Sequence, residues 1–228
     1  DSEGRSTLKT VEHITAEFPS YDQNHGLERY LIKDYDGHST NLSLISVKDE
    51  NDNNLSYSIS EESGNLVLRI GDADIYVHGS QTYVIAYSQH DVTKFFSNTN
   101  DDEFYWDING TNWSQQFDSV SARLHIGPGI LNNLTGNMSC YFGASGSNDR
   151  CSTSLVGDVV TVTVNNLTSY ENVTIAIGFK AHTFTQYQKN LLDIIKEYLF
   201  IILILVSLLL LGLMIFLRLF KARGALSK

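Results

Sequence analysis

The sequence predicts a mainly β protein, an antiparallel β-sandwich of immunoglobulin-like type followed by one transmembrane α-helix. At least eight short segments alternate apolar and polar residues between turn-forming residues, and no amphipathic helix of useful length lies among them. After them, nineteen consecutive uncharged residues run from Leu199 to Leu217. About 20 apolar residues suffice for a helix to cross the hydrocarbon core of a bilayer. A buried helix of a soluble domain would show polar residues at a period of 3.6, and here only Ser207 and Gly212 interrupt the apolar surface.

The first predicted strand covers residues 7–18. It places Leu8, Ile14, Ala16 and Phe18 on one side at a period of two, and Pro19 ends it. The other predicted strands cover residues 30–33, 41–47, 55–59, 65–70, 83–87, 120–126, 159–164 and 173–179. The acidic run at residues 101–103 is typical of a solvated loop.

Four regions follow from these patterns. Residues 1–184 form the β-sandwich domain, and 185–197 form a juxtamembrane helical stalk because apolar residues begin there at helical spacing. The transmembrane helix covers 198–219, and 220–228 form a short basic tail. Two immunoglobulin-sized domains are the alternative for the first region, but no Pro- or Ser-rich linker divides it.

Charge distribution predicts the orientation of the span. Four basic residues and no acidic residue follow it: Arg218, Lys221, Arg223 and Lys228. Because Lys and Arg accumulate on the cytoplasmic side, we expect a cytoplasmic tail and an extracytoplasmic domain. An exported domain requires an export signal, and the chain starts at Asp1 without an apolar segment. We therefore expect that a signal peptide has been removed.

Two cysteines, Cys140 and Cys151, frame a loop rich in glycine and serine. An even number of cysteines on the outer side of a membrane favours one disulfide, with two reduced thiols as the alternative. A zinc site is not expected, because two cysteines without paired histidines fall short of four ligands.

The region before the span is strongly acidic. It holds all 26 Asp and Glu residues but only 12 of the 16 Lys and Arg residues, so its formal charge is 12 minus 26, or −14. Such a surface repels phosphate backbones, and nucleic acid is not an expected partner. The acidity serves either solubility or the attraction of basic ligands and cations.

An aromatic segment is the first candidate for a contact surface. Phe104, Tyr105, Trp106 and Trp113 concentrate aromatic area around the turn-forming pair Asn109-Gly110. These side chains either close one end of the sandwich or form an exposed ligand platform.

A weak calcium candidate consists of Asp49, Asn51 and Asp52, within a D-E-N-D-N run similar to the inter-domain calcium motif of cadherins. The acidic partner motifs and the proline of that motif are missing, so no metal or cofactor is expected.

In HGLER, His25 and Glu28 form either an acid/base pair or a polar cluster at the start of a strand. The seven histidines lack metal-site spacing, and no nucleophile motif is present, which predicts a protein that is not an enzyme.

Several segments together resemble a known family. They are VEHITAEF, HGLERYL, IGDADIYVHGSQTYVIAY, DEFYWDINGTNW, the loop between the cysteines, and NLTSYENVTIAIGF before a membrane helix. The chain resembles the N-terminal extracytoplasmic domain of bacterial predicted membrane proteins, domain of unknown function 2207. The resemblance implies an envelope protein with a β-rich outer domain held by membrane helices and no established activity.

Two functional hypotheses follow. The first is a non-enzymatic accessory or interaction subunit of a larger bacterial envelope assembly. Its partners are other membrane or envelope proteins and, through the segment from Leu199 to Leu217, the lipid bilayer. The second is a ligand-binding or sensory ectodomain that uses the aromatic region from Phe104 to Trp113. Clustered, exposed tryptophans would favour the second hypothesis, and their burial would disfavour it.

Overall fold

Sixteen strands, all paired antiparallel, lie in the part of the chain that the structure describes, residues 1–189 and 191–225 of a computed structural model. The first eight strands are β1 (Thr7–Phe18), β2 (Gly26–Ile32), β3 (Asp34–Tyr35), β4 (His38–Ser39), β5 (Ser43–Asp49), β6 (Tyr57–Glu62), β7 (Asn65–Gly71) and β8 (Gly79–His90). The others are β9 (Lys94–Phe96), β10 (Asp101–Asp107), β11 (Phe117–His125), β12 (Leu134–Gly143), β13 (Asp149–Cys151), β14 (Thr153–Val156), β15 (Val159–Leu167) and β16 (Asn172–Lys180). One α-helix, α1, follows at Leu191–Ala225.

The strands form four larger sheets and one two-stranded hairpin, β3-β4. Sheet 1 has the order β1-β8-β5, and sheet 2 has the order β2-β7-β6. Sheet 3 has five strands in the order β13-β12-β16-β10-β9, and sheet 4 has the order β11-β15-β14. Sheets 1 and 2 therefore use the first half of the domain, while sheets 3 and 4 use the second half.

Two hydrophobic cores result from this division. The N-terminal lobe buries apolar residues of sheets 1 and 2: Leu31, Val47, Leu68, Ile70, Tyr83, Ile85 and Tyr87. The C-terminal lobe buries a larger set from sheets 3 and 4, including Phe104, Trp106, Val162, Ile175 and Ile177. Both lobes belong to one compact unit, Asp1–Tyr187, and Leu8 of β1 packs against the second core.

The alternation in β1 gives the predicted orientation of its side chains. Ile14, Ala16 and Phe18 pack on the N-terminal core, while the odd-numbered residues between them are exposed. This is the pattern of a strand with one buried face. The mainly β, antiparallel fold is thus confirmed, and the arrangement of its sheets is compatible with an immunoglobulin-like sandwich.

The acidic run at residues 101–103 was assigned wrongly. It is the start of β10, the strand paired with β16 and β9, and Asp101 and Asp102 are both buried. A run of carboxylates carries no local signal for a central strand, because its burial depends on partners that come from other segments. β12 was not predicted either, since polar residues interrupt its apolar pattern.

The second compact unit, Gln188–Lys228, contains α1. Residues 185–189 have no regular secondary structure and the helix begins at Leu191, so the predicted helical stalk over 185–197 starts too early. Within α1, Tyr198–Phe216 is long and apolar enough to cross a membrane, with a mean hydropathy of 3.3. The helix continues through Ala225 into the predicted tail, and residues 226–228 lie outside the described part.

Candidate functional site

The aromatic segment lies mostly inside the C-terminal lobe. Phe104 and Trp106 point to the same side of β10 and stack with ring centroids 5.7 Å apart, and both are buried. Trp113 is buried in the following loop, whereas Tyr105 on the opposite face of β10 is 44% exposed. A contact surface made of all four side chains is therefore not formed. The geometry agrees with the alternative in which the aromatic residues close the sandwich.

Trp113 fixes the loop that follows β10. Its indole Nε1–H donates to the carbonyl of Asn109 at 2.8 Å, and its own carbonyl accepts from the backbone N–H of Tyr170 at 2.7 Å. The side chain of Asn109 in turn accepts from the N–H of Val173 at 2.9 Å. A hydrogen-bonded loop anchored by a buried indole is held in one conformation.

A buried ion pair joins sheets 1 and 2 of the N-terminal lobe next to this loop. The guanidinium of Arg29 on β2 donates from Nε and Nη2 to both carboxylate oxygens of Glu12 on β1, at 2.7 and 2.8 Å. The hydroxyl of Tyr87 donates to the same carboxylate at 2.6 Å. The Arg29 guanidinium lies 5.8 Å from the ring centroid of Trp113. This cluster of Glu12, Arg29, Tyr87 and Trp113 is called the junction cluster below.

The electrostatics of the junction cluster keep the Arg29 guanidinium charged and the Tyr87 hydroxyl protonated. Burial on its own lowers the pKa of Arg29, but attraction to the Glu12 carboxylate outweighs burial and leaves this pKa raised. Burial and the nearby carboxylate also raise the pKa of Tyr87, so its hydroxyl stays protonated as a donor. Gly110 has a φ of +77°, and a Cβ there would lie 3.2 Å from Nη1 of Arg29. Glycine therefore allows both the turn and the close approach.

Sequence reasoning missed the junction cluster, although a signal exists. Glu12 lies in phase with the apolar side of β1, and Arg29 lies in phase with Leu27 and Leu31 of β2. Opposite charges on the buried faces of two strands indicate a buried ion pair.

In the same HGLER segment, Glu28 pairs with Arg69 on the exposed face, and His25 contacts the carbonyl of Ile75 at 3.1 Å. His25 and Glu28 therefore have different partners, which agrees with the polar-cluster interpretation.

A cavity of about 20 Å³ adjoins the junction cluster and is lined by Arg29, Tyr87, Gln89 and Trp106, among others. This volume suits about one water molecule, so the junction offers no room for an organic ligand. Among the described residues, Gln89 Oε1 has no hydrogen-bond partner, while Gln89 Nε2 donates to the carbonyl of Ile32 at 2.6 Å. The arrangement ties sheet 1 to sheet 2 and reaches the C-terminal lobe through the Arg29–Trp113 contact, so its geometry points to a structural role.

Tyr35 contributes to the same junction and supplies a prediction about pH. Its ring lies 5.4 Å from that of Trp106, and burial, with the charges of Asp36 and Asp107, raises the pKa of Tyr35 to about 12. An unfolded tyrosine ionises near pH 10, so the folded state keeps a proton that the unfolded state releases. The stability that Tyr35 contributes is complete below pH 10 and falls as the pH rises towards 12.

Between pH 9 and pH 11 the wild-type free energy of unfolding should fall by about 1 kcal/mol more than that of Tyr35→Phe. Urea denaturation at the two pH values measures the difference. Tyr21→Phe is the matched control, because Tyr21 is exposed, and it should behave like the wild type. Equal alkaline losses in the wild type and Tyr35→Phe would contradict the assignment.

In the calcium candidate, the carboxylates of Asp49 and Asp52 bond to groups of the same segment. Asp49 Oδ1 accepts from the backbone N–H of Asn51 and of Asn53, each at 2.9 Å, and Oδ2 accepts from the Asn53 amide. These bonds, chiefly the ones from Asn53, lower the pKa of Asp49. Asp52 pairs with Lys48 at 2.7 Å. The segment is a turn stabilised by the side chain of Asp49.

Cys140 and Cys151 form the predicted disulfide. They face each other in register on the antiparallel pair β12 and β13, so the loop folds as a hairpin closed by the bond. Cys140 belongs to the C-terminal core, and its bonded partner packs against that core. The bond therefore fixes the edge of sheet 3.

Buried Asp102 holds the exit segment, residues 184–187, which follows β16 and precedes the second unit. Its Oδ2 accepts from the backbone N–H of Phe184 at 3.0 Å, and its Oδ1 accepts from the Gln186 amide at 3.1 Å. Gln186 Oε1 then accepts from the N–H of Phe95, and Thr185 hydrogen-bonds to Gly4. The carboxylate that was expected in solvent thus fixes the place where the chain leaves the domain.

The outer face of sheet 1 carries an apolar patch. Val11 is 59% exposed, and its neighbour in register on β8 is Ala86. Ile45 is 62% exposed because a bulge between Leu44 and Ser46 turns it outward. Val84 lies half-buried on the same strand as Ala86. Val11, Ile45, Val84 and Ala86 are called the sheet 1 patch below.

The strand beside this patch has a free edge. Among the described residues, β1 hydrogen-bonds to β8 alone, so one edge of a 12-residue strand has no strand partner. Most strands have about five or six residues, and proteins usually protect long edges because an open edge accepts another strand. A free edge next to an exposed apolar patch is a combination that suits protein docking.

A β-rich domain followed by an apolar helix of spanning length is consistent with a membrane-anchored protein. The family model described as "Predicted membrane protein (DUF2207) N-terminal domain" matches residues 5–179, and the chain belongs to this family. The comparison with curated proteins gave no match. The family and α1 together agree with membrane anchoring, and the predicted orientation across the membrane stays a prediction.

Proposed function

We propose that this chain is a non-enzymatic interaction subunit, anchored by α1, whose β-rich domain docks onto another protein of the bacterial envelope. The observation that carries the proposal is the free edge of β1 beside the sheet 1 patch. Strand addition at such an edge supplies main-chain hydrogen bonds, and the apolar patch supplies the buried area. The partner is a membrane or envelope protein with an extended segment and an apolar surface. No catalytic step is assigned to either protein.

Other features of the domain support a docking role. In the N-terminal lobe the junction cluster ties sheet 1 to sheet 2, and Asp102 fixes the exit segment at the end of the domain, both through part-buried hydrogen bonds. A rigid surface loses little conformational entropy on binding, so more of the contact energy appears as affinity. The formal charge of −14 before the span favours a partner with a basic rim.

Val11→Glu should disrupt the complex, because it places a carboxylate in the centre of the buried surface. Val156→Glu is the matched control, since Val156 is an exposed valine at the end of β14. We expect Val11→Glu to weaken association roughly tenfold or more, and Val156→Glu to leave it unchanged. Both substitutions lie on the surface and should preserve folding.

The measurement is the size and composition of complexes extracted from native membranes in mild detergent, by native electrophoresis and mass spectrometry. A photo-crosslinker at Ile45 should capture the same partner. A wild-type protein that stays a lone monomer at every concentration would count against the proposal. Complexes that form equally well with Val11→Glu and with Val156→Glu would also count against it.

A further inference from the structure

An open cleft of about 490 Å³ lies between the two lobes and is separate from the sheet 1 patch. One wall is the hairpin between β6 and β7, with Glu62, Ser63 and Asn65, and Tyr30 of β2 belongs to the same sheet. The loops of the C-terminal lobe contribute Asn112 and Tyr170. Its volume falls in the range of clefts that bind small molecules, roughly 300–1,000 Å³.

The buried Trp113 fixes the position of the second wall. Trp113 directly follows Asn112 in the chain, and its carbonyl accepts from the N–H of Tyr170 at 2.7 Å. The neighbouring Ser169 hydroxyl donates to the carbonyl of Ser114 at 2.6 Å. Trp113 thus positions two residues of this wall, Asn112 and Tyr170. A surface preformed in this way loses little entropy when a ligand binds.

Tyr170 is held in an uncommon backbone conformation. Its φ is +63°, which is unusual for a bulky residue, and its side chain is 57% exposed. Neither packing nor a turn requirement selects tyrosine at such a position, where glycine or asparagine would be easier to accommodate. A strained, exposed aromatic residue beside a cleft is a feature of functional sites.

The chemistry of the cleft selects a neutral polyhydroxylated ligand. Two tyrosine rings offer apolar faces with polar tips, and two asparagine amides with one serine hydroxyl can both donate and accept. Its described lining contains one carboxylate and neither Lys nor Arg, which disfavours anions. A sugar ring has the matching character, with an apolar C–H face and hydroxyls around its rim.

We propose that the cleft between Tyr30, the β6–β7 hairpin and the Asn112 and Tyr170 loops binds a neutral saccharide. Tyr170 stacks on a ring, and Asn65, Asn112 and Glu62 bond its hydroxyls. This site does not rest on the proposed docking function, because it uses sheet 2 and the loops of the C-terminal lobe.

The test uses the full chain in lipid nanodiscs without sugar-based detergents, which would compete for the cleft. Saturation-transfer NMR is recorded with maltotriose, mannotriose and N,N′,N″-triacetylchitotriose, and with trigalacturonate as the anionic comparison. At least one neutral trisaccharide should bind, and trigalacturonate should not. Tyr170→Ala should weaken that binding tenfold or more, while Tyr170→Phe keeps the ring and the affinity. Tyr21→Ala removes an equally exposed tyrosine elsewhere and should change nothing.

Tyr170→Gly distinguishes a role of Tyr170 in stability from a role in saccharide binding. Glycine adopts the positive φ without strain, so the Tm should not fall, yet saccharide binding should be lost. Asn112→Ala, at an exposed loop position, should weaken binding severalfold with an unchanged Tm. Absence of binding by all three neutral trisaccharides to the wild type would overturn the proposal. So would equal binding by the wild type and Tyr170→Ala.

Discussion

Arg29→Met is expected to lower the free energy of unfolding by about 3–5 kcal/mol. The substitution removes both hydrogen bonds to Glu12 and leaves its carboxylate buried without a cation. It also removes the guanidinium beside Trp113 and the bond from Nη1 to the carbonyl of Tyr30 at 2.7 Å. A charge left unpaired in a low-dielectric interior costs far more than the pair contributed, which explains the size of the effect.

Arg69→Met provides the matched control. Arg69 also pairs with a glutamate of a neighbouring strand, Glu28, but both side chains of that pair are about half exposed. An exposed pair contributes about 0–1 kcal/mol, so Arg69→Met should be nearly neutral. The double variant Glu12→Leu with Arg29→Met should recover much of the loss, because it leaves no unpaired charge. Urea denaturation followed by tryptophan fluorescence measures all three, and equal losses in Arg29→Met and Arg69→Met would contradict this account.

Asp102→Ala is expected to cost about 2–4 kcal/mol and to release the exit segment. The backbone N–H of Phe184 and the amide of Gln186 lose their acceptor, and a part-buried donor without a partner costs about 1–3 kcal/mol. Because Gln186 also accepts from the N–H of Phe95, the change propagates to β9. Trypsin should then cleave faster at Lys189, just after the segment.

Limited proteolysis of the full chain in nanodiscs, with fragments identified by mass spectrometry, tests the release. Asp118→Ala removes an exposed carboxylate on β11 and should change neither the stability nor the cleavage rate. A cleavage rate in Asp102→Ala equal to that of the wild type would show that other contacts hold the exit segment. Thermal unfolding gives the stability difference independently of proteolysis.

The strands that could be predicted are those whose alternation is local. β1, β7, β15 and β16 each show apolar residues at a period of two, and these residues are buried or half-buried. β10 was missed because its first half consists of carboxylates. Their burial depends on hydrogen-bond donors from β12 and the exit segment and on pairing with β16. Local pattern carries no information about such distant partners.

The candidate sites divide in the same way. The disulfide was predictable, since the two cysteines of the chain have one possible pairing and the domain was predicted to be extracytoplasmic. The burial of the aromatic residues could not be predicted, because alternation on β10 alone does not reveal which face meets a second sheet. The junction cluster and the cleft combine residues of different sheets, so no single segment of the sequence could predict them.

The sequence by itself determined the fold class, the disulfide and the apolar segment long enough to span a membrane, because each depends on composition or on periodicity within one segment. Only the tertiary structure decided that Glu12 meets Arg29, that Asp102 is buried, and that Tyr170 faces a cleft. These outcomes depend on contacts between residues far apart in the chain. The strand pairing and sheet packing that bring such residues together come from the whole domain.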